Sequence, residues 1–368
     1  MWVRRRGGGE PPVTVSHAEV AGRTPQSATR QKVLWVREPY LSQILAGSKT
    51  IEVRVAYKNV GRLQPGGWLK LNDRHLARIE RVGRYGGFEE LLAHEDAAAI
   101  APDLTPQQLL AALRELYPPE KEALGAVALE ITPRRYDAVL FDLGHTLVYF
   151  DPPETTVVQA ALQDLHIDRA LPQIEAALQA VWSSHYKDAA TATFAATPDH
   201  DRSTQLRLAR AFLSELGLTV DGNLVETYEG LLDSRFSLPG AMRTFPEAAE
   251  VLSALQGAHY RLGIVSNWSW NLRDRVAQVE LDPCFEIVWA SAYAGCNKPH
   301  PGIFFQVLVQ MDLSAQRTLY VGDSYRHDVV GARNAGLDAV LLDRTGTADA
   351  PDCPVIHDLR ELLDLLGE

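Results

Sequence analysis

Two patterns of apolar and polar positions divide the chain. As far as about residue 133, short alternating runs dominate: VLWV (33–36), KTIEVRV (49–55), WLKLND (68–73), HLARIERVGRY (75–85) and LGAVALEIT (124–132). Alternation with a period of two predicts strands. Among them, EPYLSQILAG (38–47) puts Tyr40, Ile44 and Leu45 on one helical face and ends at Gly47, a residue suited to a left-handed helix cap. FEELLAHED (88–96) and PQQLLAALRELY (106–117) are further helical stretches. Strands with few helices predict a small β-barrel over residues 32–133.

The pattern changes after the short joint PRRYD (133–137). The apolar run AVLF (138–141) leads straight into Asp142. Helical segments follow between about 155 and 240, and then RLGIVSN (261–267), FEIVWAS (285–291), LYVGDS (319–324) and AVLLD (339–343) read as strands. PGIFFQVLVQM (301–311) and DVVGARNAG (328–336) read as helices among them. Strands alternating with helices predict a doubly wound, parallel α/β sheet over residues 136–366, interrupted by a helical insert. Functional loops of such a sheet follow the carboxyl ends of its strands.

Composition narrows the picture. A length of 368 residues calls for two or three domains, and 46% hydrophobic content is enough for their cores. No apolar run approaches the roughly 18 residues of a membrane span, so no membrane partner is expected. The start, MWVRRRGGGEPPVTV, has charge but no apolar stretch behind it, which excludes a secretory signal. Residues 1–31 are expected to be a disordered extension. Three cysteines, Cys284, Cys296 and Cys353, form no close-spaced metal pair and suit a reducing, cytoplasmic setting. The net charge of −11 is uneven: +5 and −2 in residues 1–30, +15 and −13 in 31–135, +16 and −32 in 136–368. Residues 49–84 hold nine basic groups against three acids. That excess suits either an anionic partner such as RNA or an ordinary solvated surface.

Four loops of the second half carry the chemistry. Asp142 ends the first strand, Ser266 and Asn267 end the second, Lys298 lies in NKPHPGIF, and Asp323 and Asp328 lie in VGDSYRHD. Asp142 and Asp323 can hold Mg²⁺, a hard cation that takes carboxylates, carbonyls and water. A hydroxyl and main-chain amides at Ser266 can bind phosphate, and Lys298 can offset the negative charge. Singly, each is as well read as a turn residue, a helix cap or a solvated side chain. Their order, each after a strand, favours the site.

With FDLGHTL, IVSN, the lysine of NKPHPGIF and VGDSYRHDVVGARNAG, residues 136–366 resemble the haloacid dehalogenase (HAD) superfamily of hydrolases. The resemblance implies an α/β Rossmann-like HAD core with a helical cap at about 155–240, acting as a Mg²⁺-dependent phosphatase on a small phosphorylated metabolite. It implies Asp142 as nucleophile, Ser266 and Asn267 as phosphate-binding residues, Lys298 as orienter, Asp142, Asp323 and the Gly144 carbonyl as metal ligands, and Asp328 as their support. Phosphatases of the family usually carry a second Asp where this chain has Gly144. Glycine keeps the carbonyl but loses the proton shuttle, at a cost of ~10²–10⁴-fold. His145 is the nearest titratable substitute. Gly144 also leaves open a second reading, a binding protein whose HAD half turns over poorly. In the helical insert, Trp182, His185, Tyr186, Phe194 and His200 are pocket candidates, and Trp268 and Trp270 follow the phosphate loop directly.

In the first half, ILAGSKTIEVRV places Gly47, Lys49, Glu52 and Arg54 at a helix-to-strand corner. Read by residue type, this is a surface ion-pair cluster in which Arg54 can grip a phosphate or a base edge. The G-x-K-x-x-E-x-R spacing resembles the ASCH domain, a PUA-like β-barrel, over residues 32–133. That resemblance implies a cleft for RNA or a nucleotide at Lys49, Glu52 and Arg54. One branch of the family hydrolyses acylated cytidines with the Lys, a Thr and a distant Glu. Glu52 stands at the Thr place, with Glu95 and Asp96 near the region of the distant acid.

Overall fold

The computed structural model describes residues 32–349 and 351–367, so the expected extension at 1–31 lies outside the described residues. The first half is a five-stranded sheet of β1 (Lys32–Leu34), β2 (Ile51–Val55), β3 (Trp68–Leu71), β4 (His75–Tyr85) and β5 (Ala126–Pro133), in the order β1-β3-β4-β5-β2. Only β1 and β3 run parallel. One face buries Leu69, Leu71, Ile79, Leu129 and Ile131 with Ile44 of the helix Tyr40–Ala46. The other packs Ile51, Val53, Val55 and Ala128 against the helices Phe88–His94 and Pro106–Leu116. Gly47 caps the first helix at φ 80°, where a side chain would be strained. No ladder joins the edge strands β1 and β2 among the described residues. The sheet curls far enough for Arg54 on β2 to donate to the Trp35 carbonyl just beyond β1, at 2.6 Å.

The second half is built on a six-stranded, all-parallel sheet of β6 (Ala138–Phe141), β9 (Arg261–Ser266), β10 (Ile287–Ala290), β11 (Thr318–Gly322), β12 (Asp338–Leu342) and β13 (Val355–Ile356). Its order is β10-β9-β6-β11-β12-β13. The strands read as continuous apolar runs because helices cover both faces. A two-stranded antiparallel ribbon of β7 (Val148–Phe150) and β8 (Met242–Thr244) pins both ends of the insert. Between them, the helices Glu154–Asp164, Leu171–His185, Pro198–Glu215 and Gly222–Phe236 form a four-helix unit with its own core, including Val158, Ile174, Phe212 and Tyr228.

The joint between the halves is packed. Leu76 of β4 is buried in the same apolar cluster as Tyr136, Leu362 and Leu365, and Trp68 packs against it. The Arg78 guanidinium lies 4.8 Å from the Trp68 ring centroid. Arg134 pairs with Asp338 at 3.4 Å, and the Tyr136 hydroxyl donates to Asp338 at 3.1 Å. No helix among the described residues is long and apolar enough to cross a membrane.

Candidate active site

β6 is flanked by β9 and β11, so the loops after these three strands meet at one edge of the sheet. Asp142 follows β6 and its main-chain N–H donates to Val321 of β11, 2.9 Å. Lys298 is the hub. Its ammonium lies 2.6 Å from an oxygen of Asp142, 2.6 Å from an oxygen of Asp328, and 3.0 Å from the Tyr320 hydroxyl. Those three partners take all three of its protons. Burial opposes its charge, but Asp142 and Asp328 outweigh burial and hold it above the ordinary lysine value. Asp328 also accepts from the Ser324 main chain at 2.8 Å, so both its oxygens are engaged.

The carboxylates of Asp142, Asp323 and Asp328 offer oxygens within 4.8 Å of one another. Whereas Asp142 and Asp328 are buried, Asp323 is exposed to solvent. Desolvation, then Asp328 and Asp142, push its pKa well above the usual carboxylate range. Three carboxylates facing one ammonium leave an excess of negative charge, and an all-oxygen set suits a hard divalent cation.

Ser266 is 2% exposed at the end of β9, and its hydroxyl has no partner among the described residues. The Asn267 side chain is bonded to the neighbouring loop. Its amide oxygen accepts from the Lys298 N–H at 2.7 Å and its amide nitrogen donates to the Lys298 carbonyl at 3.1 Å. This clasp fixes the Lys298 loop against the end of β9.

Gly144 lies beside Trp268. A Cβ there would meet nothing nearer than Cζ3 of that ring at 3.7 Å, an ordinary contact. His145 sits at φ 56°, and desolvation lowers its pKa while Asp142 opposes that shift. The helical unit reaches the same cleft through Tyr186. Its ring centroid is 4.9 Å from that of His327. Burial raises its pKa, so its hydroxyl stays neutral. Asp201 of the unit accepts from the Trp270 N–H at 3.0 Å, and the Phe194 N–H donates to Gly295 at 2.8 Å. Tyr186 and Trp270 were thus among the pocket candidates, but Tyr320 was not: an apolar strand gives no sign that its one hydroxyl serves Lys298.

The basic corner of the first half is brought together as expected, but in a closed form. The Lys49 ammonium donates to the carbonyls of Ile51 and Ile100 at 2.7 and 2.6 Å and pairs with Glu52 at 3.1 Å. Arg54 also pairs with Glu52. Glu95 is engaged by Arg81 at 2.6 and 2.8 Å and by the Tyr85 hydroxyl. Arg81 faces Glu130 in the β4–β5 ladder while Glu52 faces Leu129 in the β5–β2 ladder, so Arg81 and Glu52 project to opposite faces of the sheet. Asp96 caps the short helix Ala97–Ile100.

Comparison with known proteins agrees with this division. Residues 136–336 match the family model of haloacid dehalogenase-like hydrolases, and residues 34–135 that of the ASCH domain. The glyceraldehyde 3-phosphate phosphatase of Methanothermobacter thermautotrophicus is 26% identical over 241 residues, which cover 62% of this chain and 99% of that enzyme. The enzyme of the same name from Pyrococcus abyssi is 37% identical over 103 residues, 27% of this chain and only 42% of its own length. Among solved structures, the HAD-hydrolase YfnB from Bacillus subtilis bound to magnesium is 25% identical with a TM-score of 0.52, covering 63% of this chain and 99% of its own.

Proposed function

Because the chain belongs to the haloacid dehalogenase-like hydrolases, we propose that it is a Mg²⁺-dependent phosphatase that works through an aspartyl-phosphate on Asp142. The observation that carries this reading is the Lys298 hub, which aligns Asp142 and Asp328 beside Asp323. The residues fit a divalent cation: Asp142, Asp323 and the Gly144 carbonyl would hold it, with Asp328 in support. When bound, it neutralises phosphate charge. An Asp142 carboxylate oxygen attacks phosphorus, and the leaving oxygen departs with the electron pair of the broken P–O bond. Water then attacks the aspartyl-phosphate and regenerates Asp142. Lys298 fixes the nucleophile and offsets charge, Ser266 donates to a phosphoryl oxygen, and the helical unit acts as a cap over the leaving group. Gly144 offers no proton, so leaving groups that need none, such as aryl or acyl phosphates, suit the site best. Small phosphorylated metabolites are the substrate class, by analogy with the glyceraldehyde 3-phosphate phosphatases.

Asp323→Asn is expected to weaken Mg²⁺ binding, measured by calorimetry, together with phosphatase turnover. Unaltered Mg²⁺ affinity in that variant refutes the metal assignment.

A second activity is favoured by one observation. Trp35 is 70% exposed, and its carbonyl is tied to Arg54. An exposed indole on the half that also exposes Lys58, Arg62 and Arg74 supports binding of single-stranded RNA by stacking and phosphate contacts. The binding should weaken with rising salt through counterion release, and Trp35→Ala should weaken it further. Affinity of the full chain for a single-stranded RNA that ignores both salt and Trp35→Ala would sink this reading.

A further inference from the structure

Three parallel strands lead to residues of the candidate site and begin together at the other edge of the sheet. β6 leads to Asp142, β9 ends on Ser266, and β11 leads to Asp323. Tyr136, Tyr260 and Arg317 stand just before those strands, and all three line one cavity of about 350 Å³. Tyr136 and Asp142 are joined by an extended strand, so roughly 20 Å of sheet separates the cavity from the nucleophile. The cavity is therefore not part of the catalytic edge.

Its other wall comes from the first half. Leu45 lies near the end of the helix Tyr40–Ala46, His75 and Leu76 open β4, and the joint supplies Arg134 and Arg135. Both halves are thus needed to form it. The second half carries 16 basic and 32 acidic groups, yet no acid lines this cavity, whereas three arginines do. Two of them are offset from outside: Arg134 pairs with Asp338 at 3.4 Å, and Arg317 pairs with Asp137 through Nε and one terminal nitrogen. Arg135 has no ion pair among the described residues, and its one hydrogen bond goes to the Leu45 carbonyl. A guanidinium has five N–H donors, so most of those on Arg135 are uncommitted. Solvent can satisfy an exposed arginine, but it does not require acids to be absent from the whole lining of a cavity.

We propose that this seam cavity binds a small phosphate ester. Arg135 and the remaining terminal nitrogen of Arg317 take the phosphate, whose charge and oxygens suit two guanidinium groups at once. The organic part lies against Leu45, Leu76, Tyr136 and Leu366. The volume stands at the low end of the about 300–1,000 Å³ of small-molecule sites, which limits the ligand to a compact molecule.

The test is calorimetric titration of the full chain, dialysed free of divalent cations. In that state Asp142, Asp323 and Asp328 face one ammonium at the catalytic edge, so an added anion is repelled there and reports on the seam. The probes are glycerol 3-phosphate, glucose 6-phosphate and adenosine monophosphate, with inorganic phosphate and glucose as controls. At least one ester should bind more tightly than inorganic phosphate, and glucose should not bind. Arg135→Ala should weaken the best ester by about tenfold or more, the worth of a hydrogen bond to a charged group. Arg135 is exposed and makes a single hydrogen bond, so this variant should fold, which circular dichroism checks. Leu366→Trp fills the cavity and leaves every charge in place, so it should weaken the same ester and decides if Arg135→Ala does not fold. Absence of binding by all three esters, inorganic phosphate bound as tightly as the best of them, or an affinity that survives either substitution in folded protein overturns the proposal. No metal and no turnover enter this measurement, so its failure leaves the phosphatase reading of Asp142 standing, and failure of that reading leaves the seam site standing.

Discussion

At the scale of single residues, Gly144 is the departure with the clearest consequence. The space beside it is open, with only the Trp268 ring at 3.7 Å from a built Cβ, and its φ is not in the left-handed region. Nothing local therefore demands glycine. Gly144→Asp should fold normally and should raise turnover of alkyl phosphates by ~10-fold or more, and of aryl phosphates by less, because only the alkoxide needs a proton. Equal gains on both, read from kcat in steady-state assays, would assign the proton to another group. The residues proposed to carry the core chemistry, Asp142, Ser266, Lys298 and Asp323, stand out in the sequence because each comes after or at the end of a strand, in a fixed order; the structure brings Asp142, Lys298 and Asp323 together. The clasp of Asn267 on Lys298 was not legible, since a side chain bonding a main chain 31 residues away leaves no mark on composition or period. The Lys49, Glu52 and Arg54 cluster was legible as a group, but its internal satisfaction was not, because the two carbonyls that hold Lys49 are contributed by backbone.

At the scale of elements, the parallel strands and most helices were readable from apolar runs and periodicity. The short ribbon of β7 and β8 was not, because three-residue strands 92 residues apart carry too little pattern. The strand β13, two residues long, was missed for the same reason. The last turn of the helix Leu171–His185 yields a prediction about acid. His185 packs against Trp182 and Tyr186, with ring centroids at 5.8 and 4.8 Å. Desolvation, helped by Arg207, lowers its pKa from 6.5 to about 4. Between those two values the unfolded chain binds a proton that the folded chain refuses, so stability is full above pH 6.5 and falls as pH drops towards 4. His185→Gln should flatten the pH dependence of the melting temperature across that window. An unchanged slope would show that the ring titrates alike in both states.

At the scale of the whole molecule, two domains were legible from the change of pattern near residue 133, but the seam between them was not. Leu76 and Trp68 read as ordinary strand residues, and only the fold shows that they are covered by the second half. Each half also locks away one lysine with every proton committed: Lys49 on Glu52 and two carbonyls, Lys298 on Asp142, Asp328 and Tyr320. Both are nearly free of solvent contact, at 4% and 2% exposure, whereas Lys58 is exposed. An acylating reagent should therefore modify Lys58 at once and reach Lys49 and Lys298 only when their surroundings open. The two amines become paired reporters, one per half, readable by mass spectrometry of the digested protein. Because the seam buries apolar surface from both sides, their modification rates should rise together as denaturant is added. Rates that rise at separate denaturant concentrations would mean that the halves breathe independently, with the seam as a contact between two bodies.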